Sequence, residues 1–315
     1  MNTFLRRLAV LIPTLIGVSF LTFSLMHITP GDPVKLMLGP EASDEAIEQK
    51  RKDLGFDKPF LIQYIHYVSN ALQGDLGRSI TTDRPVTEEI WDRLPATIEL
   101  AIMAMFFASV TSISIGVISA VNPRSLIDST TRIFVFVFLA MPGFWLGLEL
   151  IIIFSRKLEW FPPAGRGDPF TPSMFGHLML PAITLGVGTG AFLCRVLRSS
   201  MLEVLNMDFV RTAKAKGCMK TTVIMKHAFR NALIPFVTLA GISTGSLLGG
   251  SIVVEKVFNW PGIGSLLIQS IGERNLPVTL GCVLVISVMF VLVNLIVDIL
   301  YVIIDPRIRV GTSEE

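Results

Sequence analysis

Six stretches of this chain are apolar over about the length needed to cross a bilayer: Leu8–Ile28, Glu99–Val121, Ile133–Phe154, Phe175–Leu197, Asn231–Val254 and Val278–Ile304. A hydrocarbon core about 30 Å thick takes ~20 helical residues to span. Inside lipid the backbone must satisfy its own hydrogen bonds, so each stretch is predicted to be a helix. Composition agrees. Hydrophobic residues make up 51% of the 315 residues and charged residues 17%, against roughly a quarter charged in soluble domains. The expected fold class is an all-α membrane protein with about six transmembrane helices. A formal net charge of +2 gives no reason to expect a nucleic-acid partner. The lipid bilayer is the first partner the sequence implies.

The first apolar run follows Arg6 and Arg7 and ends in His27-Ile28-Thr29-Pro30-Gly31-Asp32-Pro33. A cleaved signal has a shorter core of ~7–15 residues and a small-residue cleavage site, so this run is read as a retained helix. Lys and Arg then set the orientation. The N-terminus, the second and fourth inter-helix loops and the C-terminus together carry 14 of them, and the other short loops carry five. Both termini are therefore expected in the cytoplasm of a multi-pass protein. The division expected is residues 1–29 as N-terminus and first helix, 30–98 as an extracytoplasmic segment, 99–304 as the membrane core and 305–315 as a cytoplasmic tail. The segment 30–98 should be a small subdomain. Ser43-Asp44-Glu45 begins a polar helical run to Lys52, and Gly55, Asp57 and Pro59 mark a turn. Phe60–Leu72 then reads as a helix with Leu61, Ile65, Val68 and Leu72 at helical spacing.

Motifs for enzymatic chemistry are weak. No Gly-Lys dipeptide occurs, so a Walker A phosphate loop is absent, and there is no HExxH. Gly241-Ile242-Ser243-Thr244-Gly245 has the spacing of a nucleophile elbow, but that elbow needs a strand-to-helix turn and this string lies in an apolar helical run. The four histidines and the three cysteines, Cys194, Cys218 and Cys282, lack metal-site or disulfide spacing. Neither catalytic nor metal-ligating residues are assigned.

Transport features are stronger. Gly241, Gly245 and Gly249 share one face of the fifth apolar segment, and Gly186, Gly188 and Gly190 punctuate the fourth. Small residues let membrane helices approach closely, so these mark a helix seam or a translocation path. Glu149 lies inside the third segment, after Pro142-Gly143, where a kink is expected. Ionisable groups inside a membrane are costly and point to function. Glu99 and Asp298 lie nearer segment ends, where they reach the interface.

The loop after the fourth segment reads Asp208-Phe209-Val210-Arg211-Thr212-Ala213-Lys214-Ala215-Lys216-Gly217 and continues to His227-Ala228-Phe229-Arg230-Asn231-Ala232. It is a basic amphipathic helix, a glycine stop and a second helix entering the membrane. This stretch, 198–230, resembles the "EAA" coupling loop of ABC importer permeases. Arg211-Thr212-Ala213 stands in the first triplet and Gly217 at the glycine, while the glutamate and the closing Ile-x-Leu-Pro are missing. That departure is similar to the dipeptide, oligopeptide and nickel family, which favours RTARAKG followed by HALRNA. Pro30-Gly31-Asp32-Pro33, Gly74-Asp75-Leu76-Gly77, Glu255–Gly264 and Asp305-Pro306-Arg307 match in the same order. The resemblance is to the B-type permease and covers essentially the whole chain.

The resemblance implies a type I ABC-importer permease fold working by alternating access. It implies a homologous second permease subunit, two ATPase subunits and an extracytoplasmic solute-binding protein, all at a bacterial cytoplasmic (inner) membrane. This chain would hold no cofactor, with ATP and Mg on the ATPase subunits. Phe209–Gly217 would couple them to the helices, with Thr212, Ala213 and Ala215 as the small residues offered to a groove on the ATPase and Lys214 and Lys216 meeting its acidic residues. The substrate is expected to be a di- or oligopeptide or a glutathione-like peptide. A nickel or metal-chelate importer is the alternative within the family, and a self-sufficient channel or secondary transporter the alternative outside it.

Overall fold

The computed structural model describes residues 13–24, 38, 42–53, 55, 57–168 and 171–304. The Pro30–Pro33 motif, the 305–315 tail and the side chain of Asp298 lie outside them. In chain order the helices are α1 (Pro13–Ser24), α2 (Asp44–Asp53), α3 (Phe60–Leu72), α4 (Val86–Val121), α5 (Leu126–Ala140), α6 (Gly143–Leu150), α7 (Pro172–Leu205), α8 (Asp208–Ala215), α9 (Lys220–Thr222), α10 (Arg230–Val257), α11 (Ile263–Gly272) and α12 (Leu276–Ile304). Wider π-type turns extend α6 over Ile151–Lys157 and join α9 to α10 over Val223–Phe229.

Among the described residues four continuous stretches are long and apolar enough to cross a membrane: Val86–Val121, Pro172–Leu205, Lys220–Gly249 and Leu276–Val297. A fifth span is broken. Helices α5 and α6 meet at Met141-Pro142 with a bend of 105°, far sharper than the expected kink. Pro142 has no N–H to offer the Phe138 carbonyl, and the residue before a proline is pushed out of the helical region; Met141 sits at ψ 126. Of the first predicted span, Leu8–Ile28, only the apolar helix α1 falls among the described residues.

Helix α4 starts well before the Glu99 boundary read from hydropathy. Glu88 and Glu89 lie in its first turn, where they complement the helix dipole, and the helix runs through Pro95. The polar residues before Glu99 masked a helix whose first turns are not apolar.

Packing divides the chain into two compact units, residues up to Thr97 with Pro261–Val291, and Ile98–Trp260 with the chain from Leu292 onward. In the first, α3 forms where the helical spacing predicts it, but Leu61, Ile65 and Leu72 are exposed. Its aromatic face packs instead: Tyr64 and Tyr67 meet Phe23 of α1 at ring distances of 5.6 Å. Burial there pushes the Tyr67 hydroxyl up to about 12. Asn275 ties this unit together. Its Nδ2 donates to Ser79 Oγ at 2.8 Å and Thr81 Oγ1 at 3.0 Å, and its Oδ1 accepts from Ile80 N at 3.2 Å.

In the second unit the close helix crossing is between α4 and α7. A Cβ on Gly186 would stand 2.7 Å from Ala104 O, and one on Gly190 would stand 2.8 Å from Thr111 Oγ1. Gly116 lies against the Cys194 carbonyl in the same way, at 3.3 Å. Glu99 of α4 is held by Arg166 in a two-pronged ion pair, Nη2 to Oε1 at 2.6 Å and Nε to Oε2 at 3.1 Å.

Candidate functional site

Two features of the second unit bear on the residues singled out from the sequence, an amphipathic helix at one end of the bundle and a cavity among the spans.

The helix is α8. Helix α7 runs on past its apolar stretch to Leu205, a turn at Asn206-Met207 follows, and α8 begins at Asp208. Val210 and Ala213, three residues apart, are buried among Leu197, Met201 and Val204 of α7 and Ala228, Ala232 and Phe236 beyond the loop. That leaves Phe209, Arg211, Thr212, Lys214, Ala215, Lys216 and Gly217 exposed. Ala213, expected among the small residues offered outward, therefore faces the bundle's own core. The triplet pattern names residue types without saying which face each occupies. The helix stops in a Schellman turn: Cys218 N donates to Ala213 O at 3.2 Å and Gly217 N to Lys214 O at 3.0 Å. Gly217 takes φ +79°, as that turn requires.

The cavity, about 600 Å³, is lined by the α5–α6 break at Phe138, Met141 and Gly143, by Thr184, Gly188 and Thr189 of α7, and by Ser243 and Ser246 of α10. Non-helical backbone at membrane depth is tolerated where it lines a cavity, which accounts for the sharp break. Thr184, Thr189 and Ser246 donate to carbonyls one turn back in their own helices. Each oxygen can still accept a further bond. The lining residues carry no formal charge. The wall is mainly apolar, with Phe144, Leu146, Leu185, Phe192, Leu247 and Val254 among its residues, and carries four hydroxyl groups.

The residues singled out from the sequence fall around this cavity unevenly. Ser243 and Ser246, flanking Gly245, reach it, while Gly245 is itself buried. At Gly241 a Cβ would overlap the Val297 side chain of α12, whereas Gly249 has nothing within 4 Å. Gly188 also opens on empty space, unlike its neighbours Gly186 and Gly190. Glu149 is half-buried on α6 and does not line the cavity.

Sequence reasoning missed one cluster, an ion pair at the α8 end of the bundle. Arg198 of α7 donates from Nε and Nη2 to the Asp128 carboxylate of α5 at 2.6 and 3.0 Å. Ser119 of α4 donates to the same carboxylate at 2.6 Å. Asp128 is 1% exposed. Its only sequence signal was a lone acid in the first turn of an apolar helix, three residues after the N-capping Ser125.

Continuous and broken apolar helices beside a mainly apolar cavity, with an amphipathic helix folded onto one end, fit a membrane permease. Two family models agree with this. The binding-protein-dependent transport system inner membrane component matches residues 112–310, and the N-terminal part of such membrane components matches residues 1–101. The chain belongs to this family of binding-protein-dependent importer permeases, multi-pass proteins of the inner membrane whose ATPase is a separate subunit. It is 43% identical to the dipeptide transport system permease protein DppB of Alkalihalophilus pseudofirmus, over 97% of this chain and 98% of that protein. It is 45% identical to the glutathione transport system permease protein GsiC of an Escherichia coli strain, over 98% and 99%. Among solved structures it is similar in fold to a chain of the MetNI methionine ABC transporter, with a TM-score of 0.58 at 21% identity, over 69% of this chain and 96% of that one.

Proposed function

We propose that this chain is one of two homologous permease subunits of an importer for dipeptides or glutathione-like small peptides, driven by two ATPase subunits and fed by an extracytoplasmic solute-binding protein. Full-length similarity to DppB and GsiC supports the substrate class. In this reading the termini and α8 lie in the cytoplasm, and Phe209–Gly217 is the surface that meets an ATPase subunit. The observation that carries the coupling role is the two-sidedness of α8: Val210 and Ala213 are sunk in the bundle while Arg211, Thr212 and Ala215 are exposed on the other side, flanked by exposed Phe209 and Lys216. A push on the outer face has no slack to take up before it reaches α7. The neutral cavity between the α5–α6 break, α7 and α10 is one wall of the transport path. Both halves of an alternating-access cycle need differential contacts, and a broken helix at the wall supplies a place where the backbone can change.

The test is the reconstituted complex with its binding protein. ATP hydrolysis should rise when that protein is loaded with a dipeptide or glutathione. Stimulation by a nickel chelate alone, with neither peptide effective, would overturn the peptide assignment and leave the permease class standing.

A further inference from the structure

We propose that Asp128 and Arg198 are positioning residues for energy coupling: their ion pair makes the ends of α4, α5 and α7 move as one body with α8. This rests on the reading of α8 as the coupling helix.

Arg198 lies on α7 between Leu197 and Met201, both fully buried and both in the core that holds Val210 and Ala213 of α8. A displacement of α8 is therefore delivered to the turn that carries Arg198. Apolar packing transmits such a displacement with tolerance, since it is not directional. The ion pair is directional: two parallel N–H donors of one guanidinium engage both oxygens of one carboxylate, a geometry that fixes orientation as well as distance. Asp128 also accepts from Ser119 Oγ of α4 and, at 3.0 Å, from the backbone N of Arg124 in the α4–α5 corner. Arg198 Nε lies 3.0 Å from Ser119 Oγ as well. A carboxylate this deeply buried cannot be left without its cation while the helices slide.

The mechanical consequence runs along α5. Its first turn is locked to α7 through Asp128, and its last residue, Ala140, precedes the break at Met141-Pro142. Motion of α8 thus turns the start of α5, and the break that lines the cavity is where α5 gives way to α6. Arg132 stands 3.7 Å from Asp128 but is half exposed. It keeps a cation near the carboxylate when Arg198 is changed, without replacing the fork.

The test uses the full reconstituted complex, with ATPase attachment, ATP hydrolysis and solute moved per ATP measured together. Arg198→Lys keeps the charge and removes the fork, and Asp128→Asn keeps the shape and removes the charge. Both should retain the ATPase subunits and still hydrolyse ATP in response to loaded binding protein. Solute moved per ATP should fall about tenfold, within the range of measured coupling between sites. The exchange Asp128→Arg with Arg198→Asp should recover part of the loss. Wild-type transport per ATP in Arg198→Lys would overturn the proposal. So would loss of ATPase attachment in that variant, which would make the pair a local support for α8. If Asp128→Asn fails to fold, Arg198→Lys and Ser119→Ala still decide the matter. Ala215→Asp, on the outer face of α8, tests the underlying coupling reading separately: full ATPase attachment and stimulation there would sink that reading whatever the ion pair does.

Discussion

Gly217 holds φ +79° with nothing within 4 Å of the position a Cβ would take. A substitution there meets backbone strain alone, about 1–2 kcal/mol for a residue that disfavours the left-handed region. Asn tolerates that region better than a β-branched residue. Gly217→Asn should therefore keep most ATPase attachment while Gly217→Val loses much of it, read by co-purification of the ATPase subunits. Equal attachment would mean that the turn is not what sets the pose of α8. Ala213 behaves differently. It is 7% exposed and packed among apolar side chains, so Ala213→Asp buries a charge without a partner. Thermal unfolding in detergent should show a lowered midpoint for Ala213→Asp and an unchanged one for Ala215→Asp. A lowered midpoint in both would contradict the two-sided helix.

Helix α7 separates packing glycines from an open one within a single turn, and that gives a test at the scale of the element. Gly186 lies under the Ala104 carbonyl, where a Cβ would be 2.7 Å from a backbone oxygen, while Gly188 meets nothing. Overpacking typically costs ~1–3 kcal/mol, so Gly186→Ala should lower the thermal midpoint and Gly188→Ala should not. Gly188→Leu should instead narrow the cavity, lowering transport in a protein of unchanged midpoint. Loss of stability in the Gly188 variants would mean that this face is packed. The seam also shows what the sequence could and could not say. Spacing of glycines located faces that admit close contact, but the partner lies in another helix, so Gly186 and Gly190 against α4 could not be told from Gly188 beside them. Hydropathy located the four continuous spans and the broken one found among the described residues, because burial in lipid is written residue by residue. It misplaced the start of α4, where Glu88, Glu89 and Asp92 are helical without being apolar. The Pro142 break was legible as a kink and not as a 105° bend, since the angle depends on what α6 packs against: a Cβ on Gly147 would stand 3.3 Å from Thr184 and 3.0 Å from Phe258. Asp128 with Arg198 was the least legible, being a pairing of residues 70 apart in sequence.

For the whole molecule, the direction in which the chain faces is measurable through one native residue. The basic-residue bias predicts α8 and its flanks in the cytoplasm and the segment holding α3 outside. Cys218 follows the Gly217 turn and is exposed, whereas Cys194 and Cys282 are buried. Cys218 is thus the built-in reporter for the α8 side. Leu72, at the end of α3, is 84% exposed and can carry the reporter for the other side as Leu72→Cys. An impermeant maleimide applied to intact cells should label the Leu72→Cys variant and leave the wild type unlabelled. Permeabilising cells that lack the ATPase subunits should then expose Cys218, because none of the described residues covers it. The predicted topology assigns the two sites to opposite faces, so a single inversion would reverse both results. Wild type labelled in intact cells, with no additional labelling in Leu72→Cys, would place α8 outside. It would remove α8 from any cytoplasmic ATPase, however well its sequence and capping suit one.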